Sequence, residues 1–477
     1  MKSNSNSRRD FLKKSAMAGL CTAPVVLTSS SDRAGTPNHH FNVRDFGAVG
    51  DGKTKDTAAI QKAIDAANKS GGGRVLLTPG TYLSGTIYLK SNVDFHLMAG
   101  AVLYASPDKA DYNAYDFCPQ NQQPGNLLMT YDFTHGGHLV VALEQDNVTL
   151  SGRGRIDGNG KAFIYDHKNG RYLDKSEVTW RPSSMLFICE CTRVHIHDLQ
   201  LFNTPYWNCL LLGCEDFLVD GVHVKNPLEF APNVDGINIE SCQRGTVSNC
   251  IVESFDDCTT LRAGAFPLKK KRPCEHITIT NCVFRSGCQP IRIGVGEGII
   301  RHCTYSNLVL QGGYNGINLH SAYTGGPCPG VTMENIRFQN IIMEGVKAAF
   351  SITLGVADDA TKIRNIYYRG ISGTCSDTSE IAGRAGNKLL NISFEDIDLA
   401  VPAGVAPFSV ARFGHITGLR LHNVAFFEWD KRSDKNNPCR IKLTNIEDGD
   451  YDRCLPTPEL DPDGRFRGRS GGDKALE

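Results

Sequence analysis

Three absences narrow what this 477-residue chain can be. It has no net charge, with 51 Lys+Arg against 51 Asp+Glu, so its balance gives no reason to expect nucleic acid or an acidic membrane surface as a partner. It has no apolar run approaching the roughly 20 residues that cross a bilayer as a helix, so no membrane span is expected. None of its 17 cysteines forms a Cys-x-x-Cys pair, the spacing of a zinc site, and Asp235, Asp256 and Asp257 lack calcium-loop spacing. No metal and no cofactor are therefore expected.

What the chain does have is glycine, 48 residues of it, and an ordinary 40% of hydrophobic residues, as expected of many short strands joined by tight turns. About three domains would fit the length, but a repeat running throughout makes one elongated body. Period-2 runs recur as RVHIHDLQL, FLVDGVHV, GTVSNCIV, HITITNCVF, VTMENIRF, KIRNIYYRGI, LLNISFEDIDL and ITGLRLHNVAF. Anchors at Asp198, Asp220, Asn249, Asn281, His302 and Asn335 are 22, 29, 32, 21 and 33 residues apart, the size of one coil with variable turns. Asn at such corners can stack in a hydrogen-bonded ladder. Cys250, Cys282 and Cys303 open apolar runs where a buried ladder residue belongs, and free Cys behaves there as a small hydrophobe. Cys439 and Cys454 are the expected exceptions.

The ends read differently. SRRDFLKK (Ser7 to Lys14) and the apolar stretch to Leu27 match a twin-arginine export signal, which carries a folded protein across the membrane to the periplasm or beyond. Residues 1–40 are assigned to that signal and a polar joint, 41–432 to the repeat, and 433–477 to a partly disordered tail. Near the start of the repeat, Asp56 or Thr57 can cap a helix with Ile60, Ile64 and Ala67 on one face, ended by Gly71 to Gly73. Such a helix covers the open end of a stacked coil. Tyr104 to Gly137 reads as a long excursion.

The chain is organised around Asn233 to Gly264, which holds Asp235, Asp256 and Asp257 at the heads of DGINIE and DDCTTLR. Aligning the alternation puts Ile237 over Thr259, Ile239 over Leu261 and Asp235 on Asp257, one rung of about 4.8 Å apart. QPIRIG and NGINLH continue the register. The carboxylate column then reads Asp235, Asp257, Gln289, Asn315, and an outward column reads Asn238, Thr260, Arg292, Asn318. Arg262 falls in the outward column of His320.

NVDG, FDDC, SGCQPIRIG and YNGINLH resemble, in order and spacing, the four signature runs of glycoside hydrolase family 28, the polygalacturonases: Asn-Thr-Asp, Asp-Asp, Gly-His-Gly and Arg-Ile-Lys. The first two match apart from Val234. In the third, Cys288, Gln289 and Pro290 replace Gly-His-Gly, and in the fourth, Asn318, Leu319 and His320 replace Arg-Ile-Lys. The resemblance implies an all-β, single-domain right-handed parallel β-helix of the pectin-lyase-like kind with an N-terminal capping helix. It also implies an inverting glycoside hydrolase in which Asp256 is the general acid while Asp235 and Asp257 hold and deprotonate water.

Glycosidic cleavage needs two carboxyl groups with separated pKa values, and inversion follows if acid and base stand roughly 6.5–9.5 Å apart. Gln289, Arg292, Asn318, His320, Arg262 and Asn233 are the candidate substrate-binding residues. Arg292 is open to two readings: a relocated cation for an acidic sugar, or an ion-pair partner for a nearby aspartate. Lys269 to Arg272 could draw an acidic polymer or be a solvated loop; Trp180, Tyr206 and Trp207 could stack on sugars or simply pack. The expected partner is a pectin-like or other plant or algal polysaccharide, with exo action or unusual specificity, on a monomer. A non-catalytic carbohydrate-binding β-helix and a polysaccharide lyase are the alternatives.

Overall fold

The computed structural model describes residues 39–112, 137–231, 233–264, 268–322, 330–355, 362–403, 409–429, 431–432 and 437–461. The chain divides into residues 1–38 and 39–477. The first unit, with the expected export signal, lies outside the described residues, as does most of the excursion after Tyr104.

In the second unit, 34 strands among the described residues join one sheet whose pairings run parallel, coiled into a right-handed β-helix. One turn shows the construction. Strand β1 (Trp207–Leu212) is followed by strands Glu215–Asp220 and His223–Lys225. The chain then returns so that β2 (Ile237–Glu240) lies on β1, with Cys209 beside Ile237 and Leu211 beside Ile239. On the same face follow β3 (Thr259–Ala263), β4 (Ile291–Gly296), β5 (Asn315–His320) and β6 (Ala348–Thr353). The expected register holds: Ile237, Thr259, Ile291 and Ile317 form one inward column, and Ile239, Leu261, Ile293 and Leu319 the next.

The core changes character along the axis. Cys191, Cys214, Cys242 and Cys274, all fully buried, occupy one corner on successive turns, each just ahead of the residues paired as Thr192, Glu215, Gln243 and Glu275. Further on, Tyr305, Phe338, Tyr368 and Phe394 stack with centroids 5.3, 5.0 and 4.4 Å apart. The described cysteines are all free thiols. Cys439 and Cys454 are no exception: Cys439 is buried and Cys454 donates to the Leu421 carbonyl at 3.3 Å.

The coil corners need one residue in the left-handed region, which Asn and Asp tolerate better than most residues. Asn249, Asn281, Asn307 and Asn340 sit there with φ of 57, 56, 55 and 54°. Each side-chain amide donates to the next: Asn281 to Asn249 at 3.5 Å, Asn307 to Asn281 at 3.2 Å and Asn340 to Asn307 at 3.3 Å. The anchors read from the sequence mix two corners. His302 and Asn335 belong to a second column with His276, Asn365 and Asn391, and at the Asp220 turn the corner residue is Gly221, φ 62°. Each turn has more than one left-handed corner, so a single series of spacings cannot separate them.

The capping helix α1 (Thr57–Lys69) buries Ala59, Ile60, Ala63, Ile64 and Ala67. Asp56 precedes it, but its carboxylate accepts the Val49 and Gly50 N–H groups at 2.7 and 3.0 Å and so ties down the incoming loop. At the other end the repeat outlasts the expected boundary at 432. Strands Arg440–Glu447, Asp450–Asp452 and Glu459–Leu460 add to the coil, because Ile441 and Leu443 alternate with Arg440 and Lys442 and stack on Ala411 and Phe413.

Candidate active site

The three aspartates stand where β2 and β3 begin. Gly236 permits this, since a Cβ there would lie 2.3 Å from the Cys258 carbonyl oxygen; only glycine lets the turn carrying Asp235 settle onto the one carrying Asp257. The Asp235 carbonyl accepts the backbone and side-chain N–H groups of Asn208 at 3.0 and 2.9 Å. The Val234 carbonyl accepts the Ser254 hydroxyl. Asn233, at φ 59°, accepts from Arg181 at 3.0 Å. Asp256 accepts the Asp257 N–H at 3.0 Å, and its own carbonyl accepts the Ser286 hydroxyl at 2.8 Å.

Asp235 and Asp257 are each 2% exposed, whereas Asp256 is only half-buried. Arg262 bridges the buried pair, its Nη2 lying 3.7 Å from Asp235 Oδ2 and 3.8 Å from Asp257 Oδ2. Arg292 lies closer, Nε to Asp257 Oδ2 2.6 Å. Of the two readings of Arg292, this geometry is that of the ion pair. Burial, then the charges of Asp256 and Asp257, push the Asp235 carboxyl well above the ordinary range. Burial also raises Asp257, to about 6, against the downward pull of Arg292 and Arg262. His320, 2% exposed, is driven down to about 3 by burial and by Arg292, so it is neutral at ordinary pH.

Gln289 lies over Asp257 and accepts the Asn315 amide at 3.1 Å, continuing the carboxylate column as expected. Asn238, Thr260, Arg292 and Asn318 stand in register, with Thr260 donating to Asn238 at 2.6 Å. This outward column is turned away from the core yet buried. Gly294 lies beside His320 on the neighbouring rung, where a Cβ would meet the His320 carbonyl oxygen at 1.9 Å. An oxygen each of Asp256 and Asp257 and the Cys288 sulfur lie within 4.8 Å of one another, closer than the acid–base spacing of an inverting pair.

Of the groups left with two readings in the sequence, the aromatics pack and the basic loop is largely paired. Tyr206 and Trp207, 2 and 3% exposed, stack on each other at 5.4 Å and carry guanidiniums, Arg181 at 4.3 Å and Arg262 at 4.5 Å. Trp180 packs on Tyr112 and Phe163. Lys269, Lys271 and Arg272 pair with Glu144, Glu297 and Glu215, so much of that loop's charge is locally compensated. Sequence reasoning missed Arg181, Asn208 and the buried Glu240 beside Arg262. Arg181 reaches Asn233 from 52 residues away, a contact no local pattern announces.

The model of glycosyl hydrolases family 28 matches residues 122–410. The chain belongs to that family. A rhamnogalacturonase A/epimerase, pectate lyase-like model matches residues 40–99, the cap and first turns. Among family 28 relatives, an exo-poly-alpha-D-galacturonosidase of Dickeya chrysanthemi is 28% identical over 67% of this chain and 58% of its own length. The chain thus spans little more than half of that relative. Two solved structures share the fold: the family 28 exopolygalacturonase of Yersinia enterocolitica (23% identity, TM-score 0.65, 86% of this chain and 79% of that one) and a hyperthermoactive exopolygalacturonase of Thermotoga maritima (20%, 0.63, 81% and 92%). In this family 28 chain the SGCQPIRIG run leads into β4 and YNGINLH into β5, the rungs that bring Arg292 to Asp257 and place neutral Asn318 and His320 beside it.

Proposed function

We propose that the protein is an exported glycoside hydrolase that cleaves O-glycosidic bonds of a pectin-like or other plant or algal polysaccharide from the chain end. The observation that carries this is the arrangement of carboxylates: three on adjacent rungs, two buried and bridged by arginines, with Asp256 the more exposed one. Asp256 is the general acid, placed to meet a leaving oxygen that arrives from solvent. Asp257 is the base. Burial opposes its ionisation, and Arg292 and Arg262 work against that burial, so it titrates at about 6. Asp235 shares the water and holds a proton more readily. Gln289, Asn318, His320 and Asn233 shape the sugar site. Because these groups are nearly closed over, the site suits a terminal unit better than a continuous chain, in line with relatives named for exo action.

Inversion is proposed from the family resemblance; the short Asp256–Asp257 spacing alone would fit retention. A proton NMR time course of the first-formed anomer decides between them. Export rests on Arg8 and Arg9 within SRRDFLKK and on free buried thiols that a folded-state route would preserve. Replacing both arginines with lysine should retain the protein in the cytoplasm. The activity itself is tested by incubation with pectin: saturated reducing ends support hydrolysis, an unsaturated end would show elimination, and binding without product would make this a carbohydrate-binding β-helix.

A further inference from the structure

The six groove strands β1–β6 carry only two permanent cations, Arg262 and Arg292, and both face aspartates. Arg292 lies 2.6 Å from Asp257 and Arg262 bridges Asp235 and Asp257, and each arginine side chain is 5% exposed. Arg262 is further held over the Trp207 ring. His320, the remaining basic residue on these strands, is buried. Lys347, which leads into β6, packs over Tyr314 at 4.2 Å. We propose, building on the hydrolase reading above, that the sugar seated at the cleavage position is uncharged, and that Arg292 is a positioning residue for Asp257 and not a clamp for a sugar carboxylate.

The charge balance gives the reason. Arg292 and Arg262 are held by the buried aspartates, and buried Glu240 beside Arg262 and half-buried Asp256 add further acid, so no cation on these strands is left to meet a uronate. A uronate beside them would add a carboxylate to a low-dielectric site whose strand cations are already engaged, and juxtaposed like charges there are unfavourable. A neutral hexose or deoxyhexose meets instead what the walls offer: Gln289, Asn318 and Asn238 amides, the Thr260 hydroxyl and an uncharged imidazole, groups that donate to and accept from hydroxyls. Groups facing Asp257 from neighbouring elements are Asp235, Asp256, Arg262, Arg292, Cys258 and Cys288, and in that set only arginine supplies positive charge.

The test compares whole pectin with the same pectin after carbodiimide activation and borohydride reduction, which turns uronates into neutral hexoses without altering linkages. Reducing-end release should be about 100-fold or more faster on the reduced polymer, and the Asp256→Asn variant should be retarded more strongly in native gels containing it. Equal or better turnover or retardation on untreated pectin would overturn the proposal. Stronger retardation by reduced pectin with no turnover of either polymer would uphold the neutral site and overturn the hydrolase reading. In a second arm, Arg292→Gln should leave KM for the reduced polymer within a few-fold, lower kcat, and shift the acid limb of kcat upward by about 1–3 pH units. A rise in KM confined to untreated pectin, with the pH profile unmoved, would show that Arg292 binds a sugar carboxylate.

Discussion

Two stacked polar columns of this β-helix share one rung spacing and yet do different things. At the corner, Asn249, Asn281, Asn307 and Asn340 repeat one group, whose donor meets the acceptor of the next, exposed to water at every turn. In the groove, Asp235, Asp257 and Gln289 stack in the same way, but the groups differ, two carry like charge, and all are buried. A self-complementary repeat satisfies itself and stabilises the coil. A heterogeneous column leaves charge that only arginines, or a reacting substrate, can balance, and that imbalance is what a hydrolase requires. The comparison is open to attack from either column.

The largest effect is expected at Asp256. Asp256→Asn keeps shape and most hydrogen bonds but removes the proton, so kcat should fall about 10²–10⁴-fold with the melting temperature nearly unchanged. A variant retaining more than about a hundredth of the wild-type rate would remove Asp256 from the acid role.

The buried pair should show itself in stability. Asp235 and Asp257 have folded pKa values raised above the ordinary 3.8, so the folded state binds their protons more tightly than the unfolded chain. Their contribution is fully present below about pH 4 and is lost as pH rises through the folded values, for Asp257 by about pH 6. Asp235→Asn removes the buried acid that Arg262 shares with Asp257. Its melting temperature relative to wild type should rise between pH 4 and pH 8 while activity is lost. A pH-independent difference would show that Asp235 is not raised.

Much of this was legible in the sequence, and the misses have physical causes. Period-2 alternation fixes which residues share a rung, so Ile237 over Thr259 and Asp235 over Asp257 follow from pattern alone. The fate of an outward side chain does not. Arg292 and Arg262 point away from the core, but whether they meet solvent, sugar or aspartate depends on what closes over them and on the Trp207 platform from another turn. The corners were confused because Asn, Asp, His and Gly all adopt the left-handed conformation there. The last turns were cut off because their strands are short and their alternation lies among charged residues.

A smaller effect is expected in the ladder. Asn281→Ala removes two exposed amide contacts at about 0.5–1.5 kcal/mol each, at the lower end for exposed groups, and puts Ala at φ 56°, a conformation costing about 1–2 kcal/mol. The melting temperature should fall by a few degrees with kcat/KM unchanged. Altered kcat/KM would mean that the corner and the groove are coupled and that the two columns are not separable.

The smallest effect expected is none at all, on chelation. Asp256, Asp257 and Cys288 bring three potential ligand atoms within 4.8 Å, and a cation there would change the chemistry of the groove. Two features weigh against it. The Arg292 guanidinium, 2.6 Å from Asp257, already supplies the positive charge an ion would bring and would repel one. Burial and the neighbouring aspartates hold the Cys288 thiol well above its ordinary value, leaving it protonated and a poor ligand, while calcium asks for six to eight oxygens. Turnover and melting temperature should therefore survive exhaustive EDTA dialysis. Activity lost on dialysis and restored by Ca²⁺ would mean that an ion displaces Arg292 from Asp257, and the groove would then belong with elimination rather than hydrolysis.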